Sequence, residues 1–281
     1  MSEREGYLSR GRIELFYQVR LPDETPAKAA VAIIHGLGEH CGRHRKLADF
    51  LVAEGYAVVG HDLRGAGRSG GRRGHVGRFG EYLDDLGAVL AAAAPDLPEG
   101  PPFILGQSLG GLIAAAYALA FPDEVRGAIL CSPGLKNRHQ PPAWKDAAAH
   151  LLSRLVPGLS LATELPLAHL AHDPAVEREY RADPLCCGKA SARWYIEFLR
   201  AGNEVRRRAT EFRVPVLLFQ GGADVFVDPE ANLAFFNALG TPGKTLAFYP
   251  DAYHEVFNDD CAGQARAELL AWLESQTSSQ A

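Results

Sequence analysis

With 281 residues, 47% of them hydrophobic and 22% charged, the chain carries enough apolar material for the core of one globular domain with an insertion, which excludes a disordered or fibrous polypeptide. The formal net charge is −5 and the basic clusters are Arg72-Arg73 and Arg206-Arg207-Arg208, so the basic face of a nucleic-acid binder is missing. No apolar stretch reaches the ~18 residues of a bilayer span, and Met1 to Gly6 lacks the apolar core of a signal peptide, so a cytoplasmic protein is expected.

Residues 7–21 alternate polar and apolar side chains (Ile13, Leu15, Tyr17, Val19), the pattern of an antiparallel hairpin at a sheet edge. Residues 30–34, Ala-Val-Ala-Ile-Ile, are apolar throughout and predict a parallel strand buried on both faces. That run enters His35-Gly36-Leu37-Gly38-Glu39-His40, where the glycines let the backbone turn and His35 is expected to fix the loop by hydrogen bonding. Further strands are expected at 57–60, 103–106, 127–131, 214–220 and 245–249, separated by helical stretches: an α/β protein with a doubly wound, mostly parallel sheet. The tail, 276–281, reads as frayed.

The strand at 103–106 leads into Gly106-Gln107-Ser108-Leu109-Gly110 and then an Ala-rich helix. A strand-to-helix turn this tight forces its central residue into a strained conformation, requires glycine beside it, and pushes the hydroxyl outward. Ser108 is therefore the candidate nucleophile, against the alternative that it merely caps the helix. A serine nucleophile needs a base, an acid to orient the base, and an oxyanion hole. Asp224 follows the strand at 214–220 and His254 follows the strand at 245–249, and parallel strands bring both loops to the carboxyl edge that carries Ser108. Asp228 competes with Asp224, but Asp228-Pro229 has the form of a helix N-cap followed by a first-turn proline. The oxyanion donors are expected to be the N–H groups of Leu37 and Leu109.

About 80 residues separate the strands at 127–131 and 214–220, more than a crossover helix needs. We read 1–134 and 213–275 as the two parts of one core and 135–212 as a helical cap inserted above the nucleophile. Within it Trp144, Ala147, Ala148, Leu151, Leu152 and Leu155 recur at helical spacing, with Lys145, Asp146, Ser153 and Arg154 opposite. Leu151, Leu152 and Leu155 are the expected lining of an acyl pocket, and the apolar run from Leu155 to Leu161 is a candidate contact with a membrane or micelle surface. Cys41, Cys131, Cys186, Cys187 and Cys261 show neither an even count nor metal-ligand spacing, so no structural metal is expected and Cys186 and Cys187 read as two buried thiols.

Several stretches carry a resemblance: residues 35–40, Asp62 to Val76 with its Gly74-His75-Val76, Phe79 and Tyr82 with Asp84-Asp85-Leu86, residues 106–111, Asp183-Pro184-Leu185, Gly221 to Asp224, and Tyr253-His254-Glu255. Together they span residues 10–275, and the chain resembles α/β-hydrolases of the monoacylglycerol lipase and lysophospholipase group, related to proline-iminopeptidase-like serine hydrolases. Ala66 departs from the histidine common at that position. The resemblance implies the α/β-hydrolase fold and a cofactor-free hydrolysis of monoacylglycerol or lysophospholipid esters, a small-molecule lipid substrate. A short-chain carboxylesterase, a thioesterase or a peptidase could use the same residues, the last with Glu164, Glu177 or Glu179 holding a substrate amine. A non-catalytic ligand receptor on the same scaffold is the alternative of a different class.

Overall fold

The computed structural model describes residues 2–23, 26–139, 141–163 and 165–278. Eight strands form one sheet in the order β1-β2-β4-β3-β5-β6-β9-β10, where β1 is Ser2–Arg10, β2 Ile13–Leu21, β3 Ala30–Ile34, β4 Ala57–His61, β5 Phe103–Gln107, β6 Gly127–Cys131, β9 Val216–Gly221 and β10 Lys244–Tyr249. The β1–β2 hairpin and the β2–β4 pair are antiparallel and every other pair is parallel. In β3, β4, β5, β6 and β9 every residue is buried, the reason these runs show no alternation. The strand expected at 214–220, β9, begins at Val216 because Pro215 has no N–H to place in a ladder, although its carbonyl accepts from Ala128 N at 2.9 Å.

Helices cover both faces. On one side α2 (Gly80–Ala93) and α3 (Leu109–Ala120) bury Leu86, Val89, Leu112 and Ile113 against Ile34 and Ile104. On the other, α1 (Arg45–Ala53) and α8 (Ala262–Ser278) bury Leu51, Leu269 and Trp272 against Ile33 and Phe103. Each such side chain contributes roughly 1.5–3 kcal/mol on burial. α8 continues through 276–278, a segment the sequence reading leaves as frayed tail: Thr277 and Ser278 donate their hydroxyls to Leu273 O and Glu274 O at 3.0 and 2.9 Å and extend the helix.

Between β6 and β9 lie α4 (Ala143–Leu155), β7 (Ser160–Ala162), α5 (Pro174–Ala182), β8 (Lys189–Ser191) and α6 (Ala192–Arg207), with β7 and β8 pairing as a two-stranded ribbon; α7 (Pro229–Ala238) follows β9. The Gly74-His75 stretch seats this insertion, since Ser191 N donates to Gly74 O at 2.8 Å and the Ser191 hydroxyl bonds the His75 Nδ1 at 2.8 Å while also accepting from Trp194 N as the α6 cap. Gly38 holds it as well: Cys187 N and the Tyr180 hydroxyl both donate to Gly38 O, at 2.7 and 2.9 Å.

The orientation of α4 corrects the sequence reading. Trp144, Leu151 and Leu155 are 68%, 58% and 68% exposed, whereas Ser153, assigned to the polar face, is buried against α6, where its carbonyl accepts from Arg193 Nη2 at 2.7 Å. The periodicity identifies a stripe, but the contact with α6 is made by the opposite side of the helix.

Candidate active site

Ser108 stands between the last residue of β5 and the first of α3 with φ +56° and ψ −114°, a conformation costing roughly 1–3 kcal/mol. The crossing explains both glycines, since a Cβ on Gly106 would lie 2.1 Å from Gly110 O and one on Gly110 would lie 2.0 Å from Ile34 O. Its backbone is locked on both sides: Ser108 N donates to Cys131 O at 2.9 Å, and Ser108 O accepts from Leu112 N and Gly134 N at 3.1 and 2.8 Å. The hydroxyl makes no capping bond to α3, so the strain does not serve a helix cap.

Asp224 and His254 meet as buried partners. His254 Nδ1 lies 2.7 Å from Asp224 Oδ2, while Asp224 Oδ1 accepts from Phe226 N and Val227 N at 2.8 and 3.1 Å. Phe226 stacks on the imidazole with centroids 4.5 Å apart. Burial pulls the imidazole toward neutrality, but the Asp224 charge and hydrogen bond, helped by Glu255 and Glu39, outweigh it and raise the pKa above the ordinary histidine value. Gln107 Nε2 donates to His254 O at 3.0 Å, tying this loop to the residue before Ser108. Asp228 does what its sequence context suggests: Oδ1 accepts from Glu230 N and Ala231 N at 3.2 and 3.3 Å, capping α7, and Oδ2 pairs with Lys136 at 2.7 Å.

The loop after β3 is held by its own side chains. His35 accepts from Leu63 N at 2.9 Å through Nε2 and bonds Gly36 O at 2.7 Å through Nδ1, and Gly36 N donates to Glu39 Oε1. Leu37, Leu109, Ser108 and His254 line one small cavity of about 100 Å³, whose apolar wall is Leu165, Leu167, Leu170, Trp194, Phe198 and Phe226. A wider groove of about 590 Å³ shares Leu37, Leu165, Trp194, Phe198 and Phe226 with it. Leu151, Leu152 and Leu155 line neither, which moves the candidate acyl wall from α4 to α6 and the segment before α5.

The protein resembles known enzymes over nearly its whole length. A family model described as serine aminopeptidase, S33, matches residues 25–261. The chain belongs to this hydrolase family. The Mycolicibacterium smegmatis monoacylglycerol lipase is 30% identical over 94% of this chain and 94% of its own length. The rat monoglyceride lipase is 35% identical over 92% of this chain and 86% of its own. The solved structure of the Paleococcus ferrophilus monoacylglycerol lipase superposes with a TM-score of 0.86 at 31% identity, covering 93% of this chain and 99% of the other. The fold is that of the α/β-hydrolases.

Sequence reasoning missed the charged floor of this hydrolase's cavity. Glu39 and Glu255 both line it, and Arg43 lies between them: Nε donates to Glu39 Oε2 at 3.1 Å and Nη2 to Glu255 Oε2 at 3.2 Å, with the guanidinium over the Tyr180 ring. Burial would raise Glu39, yet the charges of His44 and Arg43 hold it well below the ordinary carboxylate range. The signal was present, since Glu39 and Glu255 sit inside the quoted His-Gly-Leu-Gly-Glu-His and Tyr-His-Glu stretches. Glu177 pairs with Arg181 and Glu179 is exposed; neither lines the cavity, and Glu164 lies outside the described residues. Nearby, His40, Asp183 and Cys186 bring ligand-type atoms within 4.8 Å of one another. His40 Nδ1 accepts from Gly42 N at 3.2 Å, the tautomer in which Nε2 carries a proton and donates to Asp183 at 2.8 Å. Cys186 and Cys187 are free and half-buried rather than fully enclosed.

Proposed function

We propose that this carboxylic ester hydrolase cleaves monoacylglycerols or lysophospholipids to a free fatty acid and an alcohol through an acyl-enzyme. The observation that carries the reading is a strained, uncapped Ser108 and an Asp224-paired His254 lining one cavity, which shares its apolar wall with a wider groove. With Nδ1 committed to Asp224, His254 Nε2 takes the Ser108 proton as the hydroxyl attacks the ester carbonyl, and the imidazolium then protonates the departing alcohol. Asp224 keeps the tautomer and stabilises the imidazolium. The N–H groups of Leu37 and Leu109 receive the oxyanion, and water repeats the sequence on the acyl-enzyme. The acyl chain runs along Trp194, Phe198 and Phe226, and the hydroxyl-bearing leaving group faces the polar floor.

Residues 135–212 act in this reading as a cap, and the exposed side chains Trp144, Leu151, Leu155, Val156, Leu159 and Leu161 as its contact with a lipid surface. No helix among the described residues is long and apolar enough to cross a membrane. The family description makes an aminopeptidase the reading to exclude. An amine site needs an uncompensated carboxylate, and the two carboxylates of the cavity share Arg43. The test is a panel of p-nitrophenyl esters of increasing chain length, monoacylglycerols and aminoacyl p-nitroanilides. Turnover of esters and labelling of Ser108 by a fluorophosphonate are expected; preferential turnover of the anilides overturns the reading.

A further inference from the structure

Asp259 lies just beyond the short turn Val256–Asn258, outside the cavity, and its carboxylate is wholly buried. Four donors converge on it. Oδ1 accepts from His172 N at 2.9 Å, from the His172 ring through Nδ1 at 2.7 Å and from Asp260 N at 2.9 Å, while Oδ2 accepts from Tyr253 N at 2.6 Å. Tyr253 immediately precedes His254, whereas His172 belongs to the insertion, just ahead of α5. A second strap crosses on the other side of the histidine, where Glu255 N donates to Leu170 O at 2.7 Å. Ring packing reinforces the first: His172 stacks on Tyr253 with centroids 3.9 Å apart and planes 18° apart, and His169 adds a tilted contact at 5.3 Å. Both backbone neighbours of His254 are thereby fastened to residues 169–172, and its own carbonyl to Gln107 on the nucleophile side.

We propose that Asp259 is a positioning residue for the hydrolysis, locking the His254 loop to the insertion so that the imidazole keeps its register with Ser108. The proposal rests on the functional reading above, in which His254 is the base. A buried carboxylate is an expensive way to fill space, because every lone pair must be satisfied. Here burial would raise its pKa, and the donors from His172, Tyr253 and Asp260 hold it below the ordinary carboxylate range, so it stays an acceptor for all of them. No hydrophobic replacement could hold Tyr253 N and His172 together. A misplacement near 1 Å at a catalytic base costs on the order of 100-fold in rate. The charged groups that set the imidazole's own titration are Asp224, Glu255 and Glu39; Asp259 acts on it through geometry.

The experiment compares Asp259→Asn and His172→Phe with the wild-type enzyme on one soluble ester. Asparagine puts a donor against either Tyr253 N or His172, whereas phenylalanine at the 38% exposed ring keeps the stack on Tyr253 and removes only the Nδ1–H. For Asp259→Asn the expected result is a kcat lowered by about 10- to 100-fold with KM within about twofold, and a fluorophosphonate labelling rate lowered in step. The acid limb of its kcat/KM profile should move to lower pH, because a loosened His254–Asp224 pair no longer raises the imidazole. His172→Phe should show the same pattern at about 3- to 10-fold, and it carries the test should Asp259→Asn fail to fold. Variants that lose thermal stability yet keep wild-type kcat, labelling rate and acid limb overturn the proposal. A wild-type protein that neither hydrolyses esters nor labels would instead sink the functional reading, a distinguishable result.

Discussion

The carboxyl edge of the sheet and the insertion above it obey different rules. At the edge, Ser108 and Asp224 each follow a strand whose residues are all buried, His254 follows the half-exposed terminal strand β10, and the loops that carry them are stitched to one another by Gln107, Phe226 and the Asp224 carboxylate. The insertion is fastened to the core by hydrogen bonds to Gly38, Gly74, His75, Glu255 and Asp259 and packs Trp194 and Phe198 of α6 into the core cluster, while its first helix leaves Trp144, Leu151 and Leu155 in solvent. A residue whose position follows from strand order can be located from a motif. A residue on an amphipathic helix over the sheet can be assigned to a stripe, but what the stripe faces depends on its neighbours.

The sharpest way to break this comparison is at the edge. Ser108→Ala and His254→Ala should each lower kcat by on the order of 10⁶-fold while leaving the thermal midpoint close to wild type, as read by ester turnover and calorimetry. Substantial residual turnover would place the nucleophile or the base elsewhere. Asp224→Asn should cost on the order of 10⁴-fold, because the amide cannot hold the same imidazole tautomer. Asp228→Asn, a cap exchanged for another good cap with loss of the Lys136 ion pair, should leave activity within about twofold and stability within about 1 kcal/mol. A reversal of that order in folded variants would exchange the two assignments.

A pH titration comes next in size. Protonated His254 cannot accept the serine proton, so kcat/KM should fall about tenfold per pH unit below a midpoint lying above the ordinary histidine value. The same shift bears on stability with a definite sign. The folded state favours the charged imidazole, so this pair's contribution is complete below the unfolded pKa and is lost as pH rises through the higher folded one. An acid limb below the ordinary value would mean that desolvation, not Asp224, dominates in the free enzyme.

The insertion supplies the smaller effects. Phe198→Ala should reduce the gain in kcat/KM per added methylene, worth up to about 0.8 kcal/mol for a fully buried CH₂, across a series of monomeric esters, and barely change acetate turnover. Leu151→Glu should leave that series unchanged and weaken cosedimentation with phospholipid vesicles, since the side chain is exposed and lines neither the cavity nor the groove. If Leu151→Glu instead penalised long chains selectively in solution, the acyl wall would belong to α4 after all.

Taken residue by residue, what could be read from the chain is what depends on local sterics and strand order. Short, wholly apolar runs announce buried parallel strands. Gly106 and Gly110 announce a crossing too tight for a Cβ, and the position of Ser108, Asp224 and His254 after β5, β9 and β10 places them on one edge because parallel strands share a direction. His35 and Asp228 could be assigned to loop fixing and helix capping because their partners lie within a few residues or on the adjoining strand loop. Tertiary structure alone decided which side of α4 meets α6, that Trp194 and Phe198 wall the cavity, that Arg43 bridges Glu39 and Glu255, and that Asp259 reaches His172 across 87 positions of sequence. Those contacts join segments far apart in the chain, and hydrophobic periodicity or charge at one segment carries no information about the surface that will be brought against it.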